Sequence, residues 1–258
     1  MSIVLGLHYA GFFSTTTLIL FQLINHKKNS GINPTIIESS QVFSWYRHTS
    51  NNIFFDFFKI KNVDSLENIP LTDFDYELRG ELQFKKYADY NLDVYFKYVD
   101  VYFNLSDNVM NIYNSIISKY NIEFENTCCL FLRGNDKARE CEIPDYNKYI
   151  LKGKELLQSN PNLKFLIQSD EYEFISEMCI NFPNNIVFID EIRVIPRDIK
   201  KTVDNNGMTP QINHKYALNF LAIVYIMSKC KYVVCNPGNI SVWILLYRKH
   251  INDFYQLY

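Results

Sequence analysis

Thr127-Cys128-Cys129-Leu130-Phe131-Leu132, followed at once by Arg133-Gly134-Asn135-Asp136-Lys137, is the stretch on which the fold turns. A nearly unbroken apolar run ending in a polar, glycine-containing loop is the pattern of a central parallel strand, which is covered on both faces. The pattern recurs downstream. Leu163 to Gln168 is a second run and leads into Ser169-Asp170-Glu171. Asn185 to Ile189 is a third. Lys231 to Cys235 is a fourth and leads into Asn236-Pro237-Gly238-Asn239-Ile240-Ser241. Helical spacing fills the intervals over 146–158, 171–181 and 216–229, and again from 240 to 247. Strand and helix in alternation predict an α/β layer: a parallel sheet with helices on both faces.

Upstream, Ser2 to Leu7 reads as a buried strand. A turn at Gly11 follows, then Ser14 as helix cap and a helix from about Thr15 to His26. Gly31 and Pro34 break the chain before a second strand over Thr35–Glu38. Residues 51–92 are aromatic and charged without clear period and read as helix and loop. Residues 93–120 predict a helix pair. Tyr95, Tyr98, Val99 and Tyr102 share one face of the first helix, and Ser106 or Asp107 caps the second. The expected division is two Rossmann-like domains, 1–122 and 123–258. That agrees with the ~100–150 residues of a typical domain.

Composition narrows the function classes. With 48% hydrophobic and 21% charged residues the chain can bury a real core, and its net charge of -2 gives no general attraction to nucleic acid or anionic membrane. The 20 Phe and 19 Tyr are so many that no single aromatic residue points to function. The six cysteines form no C-x-x-C pair, and Cys128, Cys129, Cys230 and Cys235 lie in or beside apolar runs, where a free thiol acts as a small hydrophobe. That pattern predicts no metal site and a reducing, cytoplasmic setting. The apolar run Thr17–Ile24 is closed by Lys27 and Lys28, short of the ~20 residues of a transmembrane helix, and reads as a buried amphipathic helix.

Open parallel sheets bind ligands outside the carboxyl ends of their strands. Three such ends here carry polar clusters. In the first, Arg133 offers a planar fork that suits phosphate, Gly134 allows close backbone approach, and Asp136 and Lys137 are placed to pair and orient Arg133. Glu140, Glu142 and Asp145 follow within a short loop. A solvated surface turn fits these residues equally well. In the last cluster a strand, a glycine turn and a helix start aim backbone N–H groups at one point, with Asn239 or Ser241 as cap and phosphate contact. An ordinary strand-to-helix turn has the same residues. Ser169-Asp170-Glu171 reads either as a helix cap or as ligand contacts. His214, before the long helix, faces the rim or is structural. No G-x-G-x-x-G fingerprint and no P-loop occurs, which argues against dinucleotide- or NTP-dependent chemistry.

The order of these clusters resembles the α-1,6-fucosyltransferases and their nodulation relatives. Leu130-Phe131-Leu132-Arg133-Gly134-Asn135-Asp136-Lys137 is similar to their V-H-V-R-R-T-D-K strand and loop, and Phe165 to Glu171 to a following strand ending in S-D or T-D-D. Tyr232-Val233-Val234-Cys235-Asn236 resembles their F-L-V-C strand and polar turn. Gly238-Asn239-Ile240-Ser241-Val242-Trp243 resembles a G-N-x-S-x-W signature of microbial and viral glycosyltransferases. Gly11-Phe12-Phe13-Ser14 resembles an early G-x-F-S loop that faces acceptor and pyrophosphate. The match is good over 126–247 and thin over 51–92.

The resemblance implies a GT-B fold and inverting, metal-independent sugar transfer. No cofactor is implied beyond a nucleotide-diphosphate sugar, GDP-linked by preference, with a glycan as acceptor. Arg133 would hold the leaving phosphate, and Glu140 or Glu142 would be the base. Gly11, Phe12, Ser14, Phe131, Asp136, Lys137, Ser169, Asp170, His214, Asn236, Gly238, Asn239, Ile240 and Ser241 would line the donor site. The pattern also departs from the family. Its His falls on Phe131, its second Arg on Gly134, its guanine-reading Asp at about Ala222 and its catalytic Glu on Cys141. An inactive GT-B domain that binds a sugar nucleotide or glycan is the competing expectation. An unrelated two-domain enzyme such as a sugar-phosphate isomerase is a third.

Overall fold

The structure, a computed structural model, describes residues 2–5, 10–48, 52–190, 194, 196 and 208–258. Its second half is built on five parallel strands. These are β5 (Thr127–Leu132), β6 (Lys164–Ser169), β7 (Ile186–Phe188), β8 (Tyr232–Cys235) and β9 (Phe254–Gln256), in the spatial order β7-β6-β5-β8-β9. β5 is the centre, in register with Lys164–Ser169 on one side and Tyr232–Cys235 on the other. Side chains alternate across the sheet, as strand geometry requires. Cys128, Leu130 and Leu132 join one apolar cluster, whereas Cys129 and Phe131 join another. β9 is an edge strand with no expectation from the sequence; its three residues are too few to show alternation.

Helices α6 (Tyr146–Ser159) and α7 (Tyr172–Asn181) contribute Tyr149, Phe174 and Met178 to the smaller cluster. Helices α8 (Pro210–Lys229) and α9 (Asn239–Arg248) supply the larger one. α8 begins well before the expected Tyr216. Thr209 is its N-cap, accepting the Ile212 N–H at 3.4 Å, and Pro210 occupies the first turn, where its missing N–H costs nothing.

The first half opens with β1 (Ser2–Val4), paired in parallel with β2 (Ile36–Glu38). Gly6 and Leu7, expected at the end of the first strand, lie outside the described residues. α1 (Phe12–Ser30) is longer at both ends than expected. Gly11, not Ser14, is its N-cap: Thr15 N–H bonds to Gly11 C=O at 3.0 Å, which puts Ser14 inside the first turn. Gly31, at φ 74°, ends α1 in the left-handed conformation glycine adopts without penalty.

Residues 52–92 hold single turns: α2 (Phe54–Phe57), the two-residue strand β3 (Phe58–Lys59) and α3 (Leu78–Glu81), then tight turns at 82–84 and 87–89. The predicted helix pair is present as α4 (Asp93–Tyr102) and α5 (Asp107–Tyr120), joined through β4 (Asn104–Leu105). Ser106 caps α5, accepting the Val109 N–H at 3.3 Å.

The larger cluster runs from Leu5 to Phe254. α8 packs on α5, and α9 packs on α1 and α4. Trp243, fully buried, donates from Nε1 to Thr17 Oγ1 at 3.0 Å. Among the described residues no helix is long and apolar enough to cross a membrane.

Candidate active site

A cleft of about 290 Å³ opens where the carboxyl ends of β5 and β6 and the start of α9 meet the start of α1. Gly11, Phe12, Ser14, Phe131, Arg133, Asp136, Lys137, Glu140, Ser169, Asp170, Gly238, Asn239 and Ile240 line it. Residues some 230 apart in sequence thus share one wall, because the sheet brings its loops to one rim.

Arg133 is the hub. Its backbone is fixed by Asn236, whose Oδ1 accepts the Arg133 N–H at 2.8 Å and whose Nδ2 donates to the Arg133 C=O at 2.9 Å. Its guanidinium lies between two carboxylates: Nη2 donates to Asp136 Oδ1 at 2.5 Å, and Nη1 pairs with Asp170 Oδ2. Asp170 Oδ1 also accepts the Gly134 N–H at 2.8 Å. Glu171 completes the brace, taking the Asn135 N–H at 2.8 Å and the Tyr146 hydroxyl at 2.5 Å. A Cβ on Gly134 would sit 2.1 Å from Glu171 Cδ, so any other residue here would displace the Glu171 carboxylate from the brace. Ser169 Oγ accepts the Glu171 N–H at 2.9 Å. The second cluster therefore grips the first loop rather than simply capping α7.

Lys137 does not pair with Asp136, as the sequence suggested. Asp136 is already held by Arg133, and Lys137 turns the other way. Its ammonium donates to Glu140 Oε2 at 2.6 Å and to Gln83 Oε1 at 2.8 Å, and stands 4.2 Å from the centre of the Phe84 ring. The cleft lining thus sets two cations, Arg133 and Lys137, against three carboxylates, Asp136, Asp170 and Glu140, one negative charge in excess.

α9 begins at the cleft with Gly238 as N-cap and no side-chain cap. Its first-turn amides have no intrahelical acceptor, and they carry the positive end of the helix dipole. The start of α1 adds a second such end. Asn239 does not cap α9. Its Oδ1 accepts from Thr17 Oγ1 at 3.1 Å and its Nδ2 donates to Gln83 Oε1 at 2.9 Å. The Tyr87 hydroxyl accepts the Gly238 N–H and donates to the Gly238 C=O, each at 3.2 Å. Burial, with Cys235 nearby, holds the Tyr87 phenol well above its usual 10.0, so it keeps the proton it donates.

Four expected site residues lie off the cleft lining. Asn236 and Ser241 are buried behind it: Ser241 Oγ donates to the Asn236 C=O at 2.6 Å and so steadies the residue that fixes Arg133. Glu142 is exposed beyond the turn, leaving Glu140 as the nearer carboxylate. His214 lies in the second turn of α8 and points away, its Nε2 3.0 Å from Asp56 Oδ2. The early start of α8 causes this: Tyr216 and Phe220, one helical turn apart, are the residues that reach the cleft. Phe13, of the G-x-F-S-like loop, also lines the cleft, and so do Tyr216, Phe220, Trp45 and Gln83, which were not singled out in the sequence. The pattern of α8 held a signal for Tyr216 and Phe220, an i, i+4 aromatic pair. Nothing in the pattern around Trp45 or Gln83 marked them.

No family model matches the chain, and no curated protein sequence matches it. Solved structures do. The NodZ α-1,6-fucosyltransferase soaked with GDP-fucose aligns over 95% of this chain and 91% of its own, at TM-score 0.54 and 11% identity. NodZ co-crystallised with GDP aligns over 93% and 90%, at TM-score 0.53 and 11% identity. Fucosyltransferase NodZ from Bradyrhizobium aligns over 93% and 91%, at TM-score 0.51 and 12% identity. The chain has the fold of NodZ. The GT-B architecture implied by the sequence resemblance is therefore present across nearly the whole chain, at an identity that speaks for fold alone. Against the NodZ fold, the cleft lies at the carboxyl rim of the β5–β6–β8 sheet, where open parallel sheets take ligands.

Proposed function

We propose that this chain is a glycosyltransferase, moving a sugar from a nucleotide-diphosphate donor to a glycan hydroxyl with inversion at the anomeric carbon. One observation carries the reading: Arg133, Lys137 and the N-terminus of α9 converge on a single cleft beside the carboxylate of Glu140, in a fold shared with NodZ. Glu140 takes the proton of the acceptor hydroxyl as general base. The acceptor oxygen attacks the anomeric carbon from the face opposite the leaving group. The carbon–oxygen bond to the diphosphate breaks, and its electron pair leaves with the diphosphate. Lys137, Arg133 and the first-turn amides of α9 stabilise that growing charge, so the reading requires no metal.

Most of the donor-site residues belong to the proposed domain 123–258, and Gly11, Phe12 and Ser14 of the proposed acceptor-side domain 1–122 line the same cleft. A GDP-sugar such as GDP-fucose is the favoured donor, by analogy with the ligand in the NodZ structure. The six unpaired cysteines suit a reducing cytoplasmic compartment.

The test is thermal stabilisation by GDP, UDP, ADP and CMP, each with and without magnesium, followed by donor hydrolysis with the nucleotide that binds. Stabilisation by one nucleoside diphosphate without magnesium, with slow release of free sugar, supports the transferase. Binding without hydrolysis or transfer favours an inactive sugar-nucleotide-binding domain. That second reading has its own support, since both cations of the cleft are already paired with carboxylates.

A further inference from the structure

Lys137 owes its position to a segment more than fifty residues upstream, in the stretch whose sequence shows no periodicity. Gln83 Oε1 accepts from Lys137 Nζ at 2.8 Å and from Asn239 Nδ2 at 2.9 Å. The neighbouring Phe84 ring lies under the ammonium at 4.2 Å. Tyr87 holds both backbone polar groups of Gly238. The segment is tied down in turn by Gln256 of β9, whose Oε1 accepts the Tyr87 N–H at 3.0 Å and whose Nε2 donates to the Lys85 C=O at 2.8 Å. Each group that would meet a diphosphate on this side of the cleft is thus held from behind by residues 83–87.

The chemistry of Gln83 differs from that of the other partner of Lys137. Glu140 fixes the ammonium and cancels its charge. Gln83 fixes it with a neutral oxygen and leaves the charge available. A lysine side chain carries much rotamer entropy, which an unrestrained ammonium would lose on capturing an anion. An acceptor that orders the side chain beforehand removes that cost from binding.

We infer that Gln83 is a positioning residue for the donor diphosphate, acting through Lys137. The inference rests on the donor-site reading above.

Isothermal titration of the nucleoside diphosphate that stabilises the wild-type chain, GDP or UDP, tests it in a double-mutant cycle. Gln83→Met keeps the length of the side chain and removes the acceptor. It is expected to weaken binding about tenfold, with Lys137→Met weakening it further and the double variant staying within about twofold of Lys137→Met alone. Wild-type affinity in Gln83→Met, or losses that multiply in the double variant, would overturn the inference and leave the donor site standing. Gln83→Glu guards against misfolding, because it keeps the acceptor for Lys137 and Asn239 and gives up only the exposed Gln83 Nε2 donation to the Gly80 C=O: it should fold and still bind nucleotide about tenfold more weakly, since a second carboxylate then joins Glu140 at the ammonium and repels the diphosphate. Unchanged or tighter binding by Gln83→Glu would also overturn the inference. A folded wild-type chain that binds no nucleotide would overturn the donor-site reading, and this inference with it.

Discussion

Asn236 and Arg133 are bound to each other twice through the backbone, the Asn236 amide receiving the Arg133 N–H at 2.8 Å and giving a hydrogen to the Arg133 C=O at 2.9 Å. The amide is fully buried, so the pair stitches the ends of β5 and β8 together where water does not compete. Asn236→Leu takes from the half-buried Arg133 backbone the partners of its N–H and its C=O. The expected cost is about 2–4 kcal/mol of stability, seen as a lower urea midpoint at unchanged slope. A midpoint equal to wild type would show that the rim holds itself without this amide.

Gly134→Ala drives a methyl into the Glu171 carboxyl, 2.1 Å away. Glu171 must then release the Asn135 N–H or the Tyr146 hydroxyl, and the loop carrying Arg133 shifts with it. The expected result is a loss of about 1–3 kcal/mol, with nucleotide binding impaired in the fraction that folds. Full stability and full binding would mean that the Glu171 brace is dispensable.

Arg133 has a structural duty beside its proposed chemical one, because Asp170 is almost wholly buried against it. Arg133→Ala should therefore abolish transfer and also cost about 3–5 kcal/mol, the penalty of stranding a buried charge. Adding Asp170→Asn should recover much of the stability and none of the transfer. If the double variant regained activity, Arg133 would be a scaffold and not a participant.

Glu140 supplies the excess negative charge that an incoming diphosphate meets, and it holds Lys137 at 2.6 Å. Glu140→Gln removes the repulsion and frees the ammonium. Nucleoside diphosphate should bind several-fold more tightly, by about 1 kcal/mol, while transfer falls by ~100-fold or more with the loss of the base. Weaker binding together with normal turnover would count against both roles of this carboxylate.

Burial pushes the thiols of Cys230 and Cys235 from 9.0 up to about 12, and those of Cys128 and Cys129 also well upward. The folded state thus favours the protonated thiol. This stabilisation is complete below pH 9, the free-thiol value, and is lost as pH rises from there towards 12. The melting temperature should be level from neutral pH to about 9 and then fall steeply. A melting temperature that held to pH 11 would contradict the burial of these four side chains.

The strands β5, β6 and β8 were legible because a strand covered on both faces must be apolar at nearly every position, and the loops that follow them announce themselves by a sudden change to polar residues. Their convergence followed from parallel topology alone. What lay hidden came from elements too short to carry a period. Gln83 and Tyr87 sit in tight turns of three residues each, and β9 is three residues long. His214, which its sequence leaves between the rim and a structural role, takes the structural one for a different reason. The Thr209–Pro210 helix start stands in the sequence, and giving it its weight would have placed His214 inside α8 and brought Tyr216 and Phe220 to the rim. The partners of Lys137 could not be read locally, since Gln83 and the adjacent Asp136 are equally plausible until the fold shows that Asp136 is taken.

The chain has two tryptophans, and the fold gives them opposite surroundings. Trp243 is sealed in the seam between α9 and α1, while Trp45 is half-buried in the wall of the cleft. Each is therefore a natural fluorophore for a different event. Emission from Trp243 follows the loss of the shared core, and emission from Trp45 follows occupancy of the cleft. With Trp243→Phe the remaining signal reads a ligand arriving, and with Trp45→Phe it reads the protein coming apart.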